Sequence, residues 1–120
     1  MNCLDSSILV EIAKANPKFL PYGKEPFILS DLLLVEFCGI ILKQFDEKTA
    51  DHWFFKLQVC SFPLTQEDLY EAIKFRYQSK HKKLSFFDAA AYVFSQKHRC
   101  TLITSDTDFL TFPGVEIIGK

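Results

Sequence analysis

The sequence predicts one α/β domain spanning residues 1–120, in which helices cover a parallel sheet. Three observations lead there. Five short apolar runs have strand length, longer segments of helical character separate most of them, and those segments open on residues that cap helices. Strands that alternate with helices pair in parallel, because each crossover through a helix returns the chain to the same end of the sheet.

Asn2 to Leu4 is the first strand run, and Asp5 stands where it meets a helix beginning near Ser6. Between Ala15 and Phe27, Pro17, Pro21, Gly23 and Pro26 interrupt any regular period, so a loop is expected there. The second run, Phe27 to Leu29, leads into a helix from Asp31 to Phe45 that starts at Ser30 or Asp31 and is apolar on almost every side. Such a helix lies between the sheet and a further surface, of this chain or of a second copy. Asp46 to Lys56, carrying Trp53, Phe54 and Phe55, is expected to form another helix packed on it. Val59 to Phe62 is the third run. Thr65 with Asp68, and Ser85 with Asp88, match the capping-box pattern and start two more helices. Cys100 to Ile103 and Val115 to Ile118 complete the strands. With 13 Phe in the chain, much of the packing must be aromatic.

A chain of 120 residues, 48% hydrophobic and 24% charged, buries one good core and not two. Its 14 Lys and Arg against 15 Asp and Glu leave a net charge of −1, so no global field attracts nucleic acid or an anionic membrane, and any anion must be held locally. The four cysteines lack CxxC spacing and a neighbouring His, which favours buried free thiols in a reducing cytosol over a zinc set. The N-terminus has no basic leader, and Glu36 and Lys43 cut the longest apolar stretches, so a cytoplasmic chain without a membrane span is expected.

Four carboxylates sit in apolar company: Asp5 in "CLDSSILV", Glu36 in "LLLVEFCGI", Asp88 in "SFFDAAAYV" and Asp106 in "LITSDTDFL". Three have ordinary alternatives. Asp5 could cap the first helix, Asp88 could complete its capping box, and Asp106 could form an Asx turn with Asp108. Glu36 shares a helical face with Leu32, Leu33 and Ile40, and a carboxylate among them needs a partner that the local sequence does not provide; an interface salt bridge is the alternative. In a parallel sheet all strands end, and all crossover helices begin, at one edge. Asp5 and Asp106 would end strands, Asp88 would begin a helix, and Glu36, roughly 7 to 8 Å into its own, can reach the same edge. Four carboxylates there raise one another's pKa unless a cation compensates them. Oxygen ligands without His or Cys suit Mg²⁺ or Mn²⁺, and such ions serve phosphodiester hydrolysis. Phe109 would seal the apolar floor beneath the charged end of the strand.

The segments "LDSSILVE", "ILSDLLLVEF", "LSFFDAAAYVFSQKHRC" and "LITSDTDF" together resemble a PIN-domain ribonuclease, in the family's order and across nearly the whole chain. The resemblance implies an α/β/α sandwich with a five-stranded parallel sheet of order 3-2-1-4-5, a divalent-metal site, and cleavage of single-stranded RNA to leave a 3′-hydroxyl and a 5′-phosphate. It implies Asp5, Glu36, Asp88 and Asp106 as catalytic, metal-binding acids, Asp108 as a further metal ligand, and Ser7 and Thr104 as supports for metal-bound water or phosphate. The small size is similar to the VapC-like toxins of toxin–antitoxin pairs, which implies a homodimer and a small antitoxin partner; the helix at Asp31 to Phe45 and its aromatic successor fit a surface for either, or plain core packing. The stretch from Asp46 to Phe55 matches no signature of the family. Lys80, Lys82, Lys83, Lys97 and Arg99 form two basic clusters that could guide an RNA backbone, or simply solvate helix ends. The three His show no ligand spacing.

Two other phosphate-handling folds fit worse. A phosphotransfer receiver needs an Asp closing its third strand, where "VCSFPL" has none; a haloacid-dehalogenase-like phosphatase needs Asp-x-Asp after the first, where this chain has "DSS". The alternative from another class is a catalytically silent PIN-like protein-binding module, its acids serving only as caps.

Overall fold

The computed structural model describes residues 1–79 and 83–119. Five strands, β1 (Asn2–Leu4), β2 (Phe27–Ser30), β3 (Ser61–Phe62), β4 (Thr101–Thr104) and β5 (Val115–Ile117), form one sheet of order β3-β2-β1-β4-β5 with every pair parallel. β1 is central, and the strand order reverses around it. Its register, Cys3 opposite both Ile28 and Leu102, puts the ends of β1, β2 and β4 side by side. Among the described residues six helices connect the strands: α1 (Ser6–Ala13), α2 (Leu20–Lys24), α3 (Asp31–Gln44), α4 (Glu47–Leu57), α5 (Gln66–Gln78) and α6 (Phe86–Lys97).

The expected helix starts are present, each with a local cause. Ser30 accepts the Leu33 amide at 3.0 Å to start α3, and Asp46 accepts the Thr49 amide at 2.7 Å to start α4. Thr65 and Ser85 form complete capping boxes with Asp68 and Asp88. Two expectations need correction. The stretch from Ala15 to Phe27 is not all loop, since α2 occupies Leu20–Lys24; Pro21 lies in its first turn, where a missing N–H costs no helical bond. The third strand is shorter than expected, because residues Gln58–Cys60 continue α4 as a 3₁₀ turn and leave only Ser61–Phe62 to pair with β2.

The main core joins β1, β2 and β4 to α1, α3 and α6. Phe19, Phe37, Phe94 and Phe109 have no more than 1% of their surface exposed, and each contributes on the order of 1.5–3 kcal/mol by burial. Phe109 is fully buried, its ring 6.1 Å from Tyr92 and 5.8 Å from Phe112. α3 buries Leu33, Leu34, Phe37 and Ile41 while leaving Val35 and Leu42 more than half exposed. The four cysteines are free thiols. Among the described residues, no helix is long and apolar enough to cross a membrane.

Candidate active site at the carboxyl edge of the sheet

β1 ends at Leu4, and Asp5 turns the chain into α1. The Asp5 amide still donates to Ile103 of β4, at 2.9 Å, so its backbone is fixed by the sheet. Although Asp5 is the N-cap residue, its side chain makes no capping hydrogen bond. Oδ2 instead accepts from the Thr104 hydroxyl at 2.7 Å and the Ser7 hydroxyl at 3.2 Å, and only 3% of the residue is exposed. Thr104, fully buried at the end of β4, also accepts the Asp106 amide at 3.1 Å, and Ser7 accepts the Ser105 amide at 3.2 Å. Both hydroxyls expected to support water or phosphate are thus turned onto Asp5 and the start of the following turn. Thr104 has no exposed surface through which to meet a ligand, so it acts through Asp5.

The ordinary alternatives for Asp106 and Asp88 are both present, and neither uses up the side chain. Asp106 Oδ1 accepts the Asp108 amide at 2.8 Å, an Asx turn that begins the 3₁₀ turn Thr107–Phe109. Asp88 Oδ2 accepts the Ser85 amide at 3.1 Å, which leaves the carboxylate with further lone pairs. Glu36 lies half-buried on the second turn of α3. Its partner is the Ser6 hydroxyl on α1, a residue that sequence reasoning passed over; nothing in "DSS" distinguishes a serine aimed at another helix from one that merely begins its own.

Electrostatics shows that these acids share one edge. Burial first, then the charge of Asp5, pushes Glu36 up to about 7; the Ser6 hydroxyl pulls the other way and the charge of Asp88 adds to the rise. Asp5 is raised chiefly by burial, against the Thr104 hydrogen bond, with the charge of Asp88 adding. Asp88 is raised chiefly by burial, against its two bonds with Ser85, with the charges of Asp106 and Asp108 adding. Residues from α1, α3, α6 and the turn after β4 therefore act on one another across the gap where the strand order reverses, the usual ligand position in an open α/β sheet. Among the described residues, no three His, Cys, Asp or Glu side chains stand close enough to enclose a metal ion by themselves. The donors at this edge are carboxylate and hydroxyl oxygens. That set fits a hard divalent cation that keeps part of its water shell and takes one or two carboxylates directly.

The basic residues divide. Lys83 lies two positions before the cap of α6, at the same edge as Asp88. Lys97 ends α6, about 13 Å along the helix from Asp88 at 1.5 Å per residue, and its ammonium is 2.7 Å from Asp68. Arg99 follows at that far end. Lys80 and Lys82 fall outside the described residues. A separate cavity of about 380 Å³, lined by Leu9, Leu20, Phe27, Trp53, Lys24 and Lys56 among others, contains no carboxylate and is not part of this edge.

A sheet of order 3-2-1-4-5 with carboxylates gathered at its carboxyl edge defines a PIN-like class of α/β protein. The PIN-domain family model matches residues 3–115, and the chain belongs to that family. Solved structures agree in fold. A toxin–antitoxin complex from Klebsiella pneumoniae contains a chain 22% identical, with 97% of this chain and 96% of that one covered and a TM-score of 0.77. VapC20 of Mycobacterium tuberculosis, described as a sarcin–ricin loop cleaving toxin, is 14% identical over 94% of this chain and 95% of its own, with a TM-score of 0.81. VapBC2 from Rickettsia felis, bound to a fragment of its promoter DNA, is 12% identical over 99% and 98%, with a TM-score of 0.76. At such identities the likeness is one of fold. No curated protein matches the chain in sequence.

Proposed function

We propose that this PIN-domain chain is a toxin-type endoribonuclease that hydrolyses phosphodiester bonds of single-stranded RNA with Mg²⁺ or Mn²⁺. The supporting observation is that Asp5, Glu36 and Asp88 are each raised chiefly by burial and further by another acid of the same edge, an arrangement unfavourable on its own and relieved by a cation. Asp5, Glu36, Asp88 and Asp106, with Asp108 assisting, would hold the ion, one or two of them directly and the rest through its water shell. Bound there, the ion supplies Lewis acidity toward the phosphate and a water of lowered pKa. Thr104 and Ser7 keep the Asp5 carboxylate in one orientation, and Phe109 closes the floor to solvent. In the reaction the water oxygen bonds to phosphorus and the P–O3′ bond breaks; one water proton is lost and O3′ gains one. Lys83 would guide the incoming backbone. The exposed Val35 and Leu42 of α3, with Phe55 of α4, form the surface assigned to a second copy or a small antitoxin.

The test is incubation with a mixed single-stranded RNA pool in Mn²⁺, in EDTA, and in Mn²⁺ with Asp5→Asn. Cleavage by the unaltered chain in Mn²⁺ alone is expected. Persistence in EDTA or in the variant overturns the mechanism, and no cleavage anywhere favours the silent binding module. Millimolar Mg²⁺ or Mn²⁺ should also raise the melting temperature, because the ion binds the folded state preferentially.

A further inference from the structure

The first turn of α6 carries a residue that neither the core nor the acid cluster explains. Phe87, Ala91 and Phe94 recur at intervals of four and three and so share one face of the helix. Ala91 and Phe94 are buried at 3% and 1% exposure in the main core, and α6 packs on β2 and β4, the strands on either side of β1. That face therefore lies on the sheet. Phe87 points the same way from about 10 Å nearer the helix start than Phe94, at 1.5 Å per residue, where the strands have already ended. It is 38% exposed and belongs to neither hydrophobic cluster. By this helix geometry the ring, with the Phe86 ring 6.4 Å away, stands at the carboxyl edge beyond the strand ends. Its chain neighbour Asp88 senses Asp106 and Asp108 there, and Asp5 and Glu36 sense Asp88.

We propose that Phe87 is the platform on which one unpaired nucleobase of the substrate stacks, next to the phosphate held at the acid cluster. The inference rests on the nuclease reading and deepens it, because it supplies a reason for single-strand preference. Acids and a metal ion grip phosphate, which is the same in a duplex and in a single strand. A flat apolar ring needs a free base face, and a base inside a duplex has both faces covered by its neighbours. Stacking of this kind tolerates any base, so Phe87 sets strandedness without fixing sequence.

The test uses a labelled single-stranded oligonucleotide drawn from the cleaved pool, its duplex form, and a series of copies made abasic at one position each. Phe87→Ala should raise KM on the single strand by roughly 5- to 150-fold, the range of one base–aromatic stack. Its kcat should stay within about two-fold, as expected when uniform binding is lost. Phe87→Tyr should restore KM, and the melting temperature of both variants should match that of the unaltered chain. One abasic position beside the cut should cost the unaltered chain the same factor and cost Phe87→Ala nothing. An unchanged KM in Phe87→Ala, or an abasic penalty that survives in it, overturns the assignment. If the unaltered chain cuts no RNA, the nuclease reading fails, and fluorescence anisotropy with a labelled mixed-sequence single strand decides Phe87 separately. Weaker binding by Phe87→Ala sustains the platform, whereas equal binding or no binding by either protein removes it.

Discussion

α5 and α6 begin with the same device and put it to different uses. Thr65 and Asp68 exchange hydrogen bonds of 3.1 and 2.9 Å; Ser85 and Asp88 exchange two of 3.1 Å. Locally the two boxes are nearly interchangeable. Yet Asp68 is held below its ordinary pKa and Asp88 above it. At Asp68, partial burial works upward but the Lys97 ammonium and the Thr65 amide and hydroxyl outweigh it. At Asp88, burial works upward against the two bonds with Ser85, and the charges of Asp106 and Asp108 add to the rise. The difference teaches that a helix cap is set by three neighbouring residues, whereas the charge state of its carboxylate is set by what the rest of the chain brings near.

The sharpest way to break the comparison is to neutralise each acid. Asp88→Asn should lower RNA cleavage by about 100-fold or more, beyond the usual loss for residues that only orient metal ligands, whereas Asp68→Asn should leave the rate unchanged in the same assay. Equal losses would mean that both acids are mere caps.

Opposite pKa shifts also predict opposite pH dependence. Asp5, Glu36 and Asp88 release their protons later in the folded chain than in the unfolded one, so the folded state binds more protons and stability falls as pH rises. Without metal, the melting temperature should therefore drop between about pH 4.5 and 7, the interval between the ordinary and folded values of Glu36. Glu36→Gln should flatten that slope, and Mg²⁺ should offset it. Asp68 has the other sign: its contribution is present above its ordinary value of 3.8 and lost as pH falls below it. A melting temperature that climbs from pH 4.5 to 7 in EDTA would contradict the raised values.

Smaller effects follow from the caps. Thr65→Ala and Ser85→Ala should each cost roughly 1 kcal/mol in denaturant unfolding. Only Ser85→Ala should also reduce cleavage, by about 10- to 100-fold, because it frees a carboxylate at the reacting edge. Smallest of all, Lys97→Ala should cost less than about 1 kcal/mol, as an exposed ion pair does, and should not alter RNA binding measured by anisotropy. A clear loss of binding would return Lys97 to the RNA path.

Much of this architecture was legible because its signals are local. Apolar runs marked β1, β2 and β4 to within a residue, and hydroxyl or carboxylate caps marked the starts of α3, α5 and α6. The misreadings have local causes too. Pro21 suggested a break but falls in a first turn, where proline is tolerated, and the apolar Val59 and Cys60 resemble strand residues while completing a 3₁₀ turn. For the site, the acids could be named in advance because carboxylates among apolar neighbours are conspicuous. The inward aim of Thr104 and Ser7 could not be, since each hydroxyl has ordinary turn and cap uses and only the packing of β4 against β1 selects among them.

The amino-acid sequence by itself determined where helices and strands begin and which carboxylates lack local company, because propensity, periodicity and capping act over a few neighbouring residues. Only the tertiary structure decided that Asp5 would accept a hydrogen bond from a threonine 99 positions away and that Glu36 would feel two other acids. Charge and hydrogen bonding depend on distance through space, and the parallel sheet turns long separations along the chain into contact at one edge.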